Sequence, residues 1–148
     1  MITRLRLFLA GWRSKRDVWA KLRLPTSPMA FPEAKRILSK FGGLRFGNSS
    51  EHIVFEPADA LAYDPDLIRR CEAMVGRRLY PIGYQEHQER EPILVDESGS
   101  IYINFDDELF RLADSFEEVL SDVARACLAP KKRVGATPKW LVGGRGAS

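Results

Sequence analysis

Two cysteines, Cys71 and Cys127, and two histidines, His52 and His87, are the whole supply in 148 residues of the side chains that most often hold metals. They form no pair at ligand spacing such as Cys-x-x-Cys or His-x-x-x-His, so no metal and no other cofactor is expected. A chain of this length needs no disulfide staple. Each cysteine falls on an apolar position of an expected helix, which reads both as reduced core residues. No Gly-x-Ser-x-Gly elbow and no reactive-looking cysteine is present, so nucleophilic catalysis is not expected. No apolar run approaches the ~18 residues of a membrane span. The run Leu7–Trp12 is shorter than a signal-peptide core of about 7–15 residues, and charge returns at Arg13. The expected location is therefore the cytoplasm. Gly42-Gly43-Leu44-Arg45-Phe46-Gly47-Asn48-Ser49 has glycine spacing like that of a phosphate loop. However, Asn48 stands where a lysine is required, and the glycines follow a helix rather than a strand. A helix stop and a tight turn is the reading.

With 45% apolar, 29% charged and 10% aromatic residues, the chain is globular and about one domain long. Its net charge of +3 conceals a division. Residues 1–30 carry seven basic side chains against Asp17 alone, and residues 130–148 carry five and no acid. Between them, residues 31–129 hold 11 basic and 19 acidic side chains, a net −8. Such fields steer partners of opposite charge without determining a fold.

Residues 1–24 are basic and amphipathic, consistent with one or two short helices. Pro32 at a first helical position, Ala34, Ile37, Leu38 and Phe41 at helical spacing, and Gly42-Gly43 beyond them predict a helix over 32–41. Glu51–Glu56 reads as a strand stopped by Pro57. Asp64-Pro65-Asp66 reads as the start of a second helix, with Asp64 the cap and Gly76 the stop. The period then changes to that of strands. Leu79–Tyr84, Ile93–Asp96 and Ile101–Phe105 form three runs, the last two joined by Glu97–Ser100, as in an antiparallel meander. Ser115-Phe116-Glu117-Glu118 fits a capping box ahead of a last helix over 115–128. The expected fold is α+β: an antiparallel sheet of about four or more strands packed with about four helices. One domain would span residues 1–129, and residues 130–148 would form a basic, Gly-rich flexible tail.

The order of motifs carries a resemblance. Ile37–Leu44, then Gly76-Arg77-Arg78-Leu79-Tyr80-Pro81-Ile82-Gly83, then Ile93–Tyr102, then Ser115–Leu120 resemble the SUKH superfamily, specifically its third bacterial subgroup. The likeness runs from about Gly11 to about Arg125, and the run Gly76–Gly83 is its most specific piece. The resemblance implies an immunity protein, made beside a secreted polymorphic toxin, that binds the toxin domain in the cytoplasm and occludes it. No catalytic residues carry over. It also implies turn or cap roles for Gly42, Gly43, Gly76, Gly83 and Gly99, and sheet-core roles for Tyr80, Ile82, Leu94, Ile101 and Tyr102. The basic tail and the charged segment Gln85–Glu91 depart from the pattern.

Charge agrees with that implication. A domain of net −8 suits a basic, phosphate-holding toxin cleft such as that of a nuclease. The expected contact residues are Glu86, Glu89, Glu91, Asp96, Glu97, Asp106, Asp107 and Glu108, set against the plainer reading that they are solvating loop charges. Asp106-Asp107-Glu108 and Glu86, Glu89 and Glu91 also make acid–base catalysis formally conceivable. The alternative from another class is a non-catalytic adaptor whose basic tail contacts nucleic acid. One Gly-Gly-Arg-Gly is too little to predict such binding, and neither nucleic acid nor membrane is an expected partner.

Overall fold

A computed structural model describes residues 2–26, 28–128 and 132–136. Among them seven strands form one sheet in chain order, every neighbouring pair antiparallel. The strands are β1 (Arg45–Gly47), β2 (His52–Val54), β3 (Leu79–Glu86), β4 (Arg90–Asp96), β5 (Ile101–Phe105), β6 (Glu108–Ala113) and β7 (Lys132–Ala136). The helices are α1 (Ile2–Leu9), α2 (Pro32–Phe41), α3 (Pro57–Ala60), α4 (Leu67–Val75) and α5 (Leu120–Ala124). The α+β architecture and the meander are as expected.

Strand alternation divides the helices between two faces. Tyr80, Ile82, Ile93, Val95, Ile101 and Ile103 point to one side, where they pack with Ile37, Leu38 and Phe41 of α2 and with Val123 of α5. Leu79, Leu94, Tyr102 and Leu109 point to the other and meet Leu67, Ile68 and Cys71 of α4. The continuous apolar run in β4 follows from this, since both its faces are covered. Phe41 binds the first layer together, edge-on to Phe116 at 4.8 Å and tilted against Phe55 at 5.9 Å.

The segment Gly76–Gly83 carries the end of α4 into β3. Gly76 caps α4 in the left-handed conformation at φ 74°. Pro81 sits where the β3–β4 register shifts, which is how a central strand tolerates a residue without an N–H. A Cβ on Gly83 would lie 2.3 Å from the Val54 carbonyl oxygen, so no other residue permits β2 to approach β3 there.

Several expectations need correction. Strands β1 and β6 were not foreseen, nor was β7, which places Lys132–Ala136 of the expected tail in the sheet. The remaining tail, 137–148, lies outside the described residues. Asp64 does not cap α4; its carboxylate pairs with Arg70, which is buried one turn inside the helix, and the helix starts at Leu67. The expected helix over 115–128 is a 3-10 turn (Glu117–Val119) followed by α5, which ends because Ala126 takes φ 57°. Gln85 then holds the chain beyond it, its Oε1 accepting from the Leu128 N–H at 2.7 Å. The capping box is wired differently: Glu118 accepts from the Asp114 N–H at 3.2 Å, and no side chain caps the turn. Cys127 is exposed rather than in the core; Cys71 is buried as expected.

Candidate protein-binding face

In a sheet that runs antiparallel in chain order, successive hairpin turns alternate between its two ends. One end therefore collects the turns around residues 48–51, 87–89 and 106–107, and the other collects 97–100 and the junction 76–78. This alternation sorts the eight expected contact residues.

Five of them share the first end. Glu86 ends β3, 2.9 Å from Nε2 of the buried His52 and 3.6 Å from the Arg90 guanidinium. Glu89, Asp106 and Asp107 line a cleft of 190 Å³ with Tyr63, Arg90 and Asn104. Asp106 and Asp107 form a two-residue hairpin loop with φ 50° and 62° at its centre, the geometry whose twist matches that of the flanking strands. Glu108 begins β6, 3.3 Å from Arg133. Asn104 steadies the hairpin, donating to the Glu108 carbonyl at 3.2 Å.

Asp96 and Glu97 belong to the other end, and Glu91 stands at the first end beside Glu89, Phe105 and Asp106 but is buried. Asp96 is completely buried. Its Oδ1 accepts from the Ser98 N–H (2.9 Å), the Ser98 hydroxyl (2.6 Å) and the Ser100 N–H (3.0 Å), and its Oδ2 accepts from the Tyr102 hydroxyl (2.9 Å). Burial alone would raise its pKa, but these donors hold it below the usual carboxylate value. Glu91 is 5% exposed, and burial pushes its pKa up against the hydrogen bond from Gln85. Neither side chain is exposed in the free protein. Glu97 is exposed but lies at the opposite end, 3.5 Å from Arg78.

Two residues that sequence reasoning missed stand among the acids. Tyr63 is 79% exposed and Phe105 is 42% exposed. Arg90 lies between Tyr63 and Tyr84, its guanidinium carbon 4.9 Å and 4.0 Å from their ring centres, and so props Tyr63 at the rim. The signal available in sequence was position: Phe105 continues the Ile101–Ile103 face of β5 to its last residue, directly before two acids. An exposed aromatic ringed by like charges suits a partner that is apolar at its centre and basic at its margin.

The remaining chemistry is quiet. Burial pushes the Cys71 thiol up to about 12, which leaves it protonated and unreactive at neutral pH. No described group of three His, Cys, Asp or Glu is placed to hold a metal ion, and no described helix is long and apolar enough to cross a membrane. On α1, Leu7 is buried while Leu5, Phe8 and Leu9 face outward, with the Arg13 guanidinium 3.7 Å above the Phe8 ring.

A family model described as SUKH-3 immunity protein matches residues 3–125. No curated protein and no solved structure matches the chain.

Proposed function

The chain belongs to the SUKH-3 immunity protein family, and from that premise we propose that it binds a cognate toxin domain in the cytoplasm and neutralises it by covering the active site. The protein does no chemistry of its own in this reading. Its partner is a toxin encoded beside it, with a basic, phosphate-handling cleft of the nuclease type.

One observation carries the reading: three chain segments distant in sequence bring Tyr63, Phe105, Glu89, Asp106 and Asp107 to the same end of the sheet. The aromatic side chains would supply buried contact area, since such residues dominate the energetics of interfaces. The carboxylates would face the toxin's cations, raising the association rate and rejecting acidic partners. Glu86 and Glu108 contribute at the margin, where Arg90 and Arg133 partly neutralise them.

The test is the affinity of the purified toxin domain encoded next to this gene. Tyr63→Ala is expected to weaken binding by about thirtyfold, the effect of losing an interface anchor worth roughly 2 kcal/mol. Asp106→Lys with Asp107→Lys is expected to slow association and to abolish its dependence on salt. Wild-type affinity and salt dependence in both variants would remove this end of the molecule from the interface.

A further inference from the structure

At the end of the sheet remote from Tyr63, a groove of 400 Å³ opens between the C-terminus of α4 and strands β5–β7. Its walls carry Arg77, Arg111, Lys132 and Arg133, with Ser100 and Tyr102 at its floor and no acid among its lining residues. The four cations come from three separate places in the chain. Residues 31–129 are acidic in sum, so no count by segment shows that Arg77 and Arg111 fold back to join Lys132 and Arg133.

Nearby carboxylates reduce this charge only in part. Asp114 pairs with Arg111, and Glu108 lies 3.3 Å from Arg133. Asp96 lies 3.5 Å from Arg77, but it is buried beneath four hydrogen-bond donors. The ammonium of Lys132 has no hydrogen bond or ion pair among the described residues. The Arg77 side chain is 56% exposed. Ser100, 4% exposed, accepts from Arg111 at 3.1 Å, while its own hydroxyl proton has no acceptor among the described residues. The groove thus presents cations and a spare hydroxyl donor, the equipment for phosphate oxygens.

We propose that this groove binds the phosphodiester backbone of a nucleic acid strand without reading its bases. Among the described residues, Tyr102 is the one aromatic side chain lining it, and it is buried with its hydroxyl committed to Asp96, so the described groove offers no ring for base stacking. Binding is then electrostatic and indifferent to sequence.

The experiment is fluorescence anisotropy of a labelled oligothymidylate of about a dozen nucleotides with the full chain and no toxin present, so that its outcome is independent of the immunity reading. Four phosphate contacts on a single strand predict that log K falls with log salt at a slope of about −3. Lys132→Glu is expected to weaken binding at least about fivefold and to reduce the slope by about one. Arg77→Gln is expected to weaken it in the same direction. Arg4→Glu, on α1 at the other edge of the sheet, is expected to leave it unchanged. Circular dichroism of each variant establishes that the fold is retained. Two results would overturn the proposal. In the first, the groove variants bind like wild type while a chain ending at Ala136 loses binding, which assigns the affinity to the tail. In the second, inorganic phosphate competes as well, phosphate for phosphate, as the oligonucleotide, which leaves a simple anion site.

Discussion

Asp96 shows how a carboxylate that looks like a surface charge in sequence can be a structural tie. It closes the turn between β4 and β5 by accepting from Ser98, Ser100 and Tyr102. Replacing it with alanine leaves those buried donors without an acceptor, and Asp96→Ala is expected to cost about 3 kcal/mol in a denaturant titration. Its folded pKa lies below the unfolded value near 3.9, so its contribution is complete above that value and is lost as pH falls through the folded one. The stability gap between wild type and Asp96→Asn is therefore expected to be constant from neutral pH down to about 5 and to shrink below about 4. Glu91 behaves in the opposite sense. Burial raises its folded pKa, so ionisation opposes folding increasingly as pH rises through the unfolded value and fully above the folded one. Glu91→Gln keeps an oxygen for the Gln85 amide and is expected to raise the melting temperature at pH 7, with the advantage narrowing toward pH 4. A melting temperature lowered at pH 7 would show that Glu91 is paired better than its surroundings indicate.

Among the elements, the Asp106–Asp107 hairpin ties stability to the toxin contact proposed above. Both residues hold positive φ, a conformation that costs an L-residue about 1 kcal/mol or more and that Asn-Gly adopts readily. Asp106→Asn with Asp107→Gly is expected to stabilise the domain by about 1 kcal/mol while weakening its hold on the toxin. A variant both more stable and equally tight would show the turn to be there for the fold alone. This hairpin also shows where sequence reading stopped. Strands β3, β4 and β5 were readable because their apolar runs are bounded by Gly76, Pro92 and Gly99 or by plain turn residues, and α2 because Pro32 and Gly42 bracket a regular apolar stripe. Strand β6 was not, because Asp106-Asp107-Glu108 looks like a solvated acidic loop and Arg111 interrupts the alternation of Leu109 and Leu112. Strand β7 has hardly any apolar content. It forms because its main chain completes the edge of β6 and because Gly135 lies against Met74 of α4. The candidate face was half readable: the acids at 86–89 and 106–108 were marked by charge, whereas Tyr63 and Phe105 join them only through the pairing of the strands.

Taken as a whole molecule, the fold separates charge by alternating its turns. The acidic turns gather at the end bearing Tyr63 and Phe105, and the arginines of the Gly76–Arg78 junction gather with β7 at the other. A net charge of +3 hides this arrangement, because it adds the acidic residues 31–129 to the basic residues 1–30 and 130–148. The expected consequence is that high salt slows association with a basic toxin even though the protein carries net positive charge. Stopped-flow association rates at low and high ionic strength measure this, and rates that rise with salt would show that net charge, rather than its arrangement, governs the encounter.

The most direct test of the central claim is growth rescue. The toxin domain encoded beside this gene is expressed in a sensitive bacterium with wild-type protein, with Tyr63→Ala carrying Asp106→Lys and Asp107→Lys, and with an empty vector. The account predicts growth and a co-purifying complex with wild type, and neither with the folded triple variant or the empty vector. Growth without any complex would contradict immunity by direct binding, and full protection by the triple variant would contradict the assignment of the acidic end as the binding face.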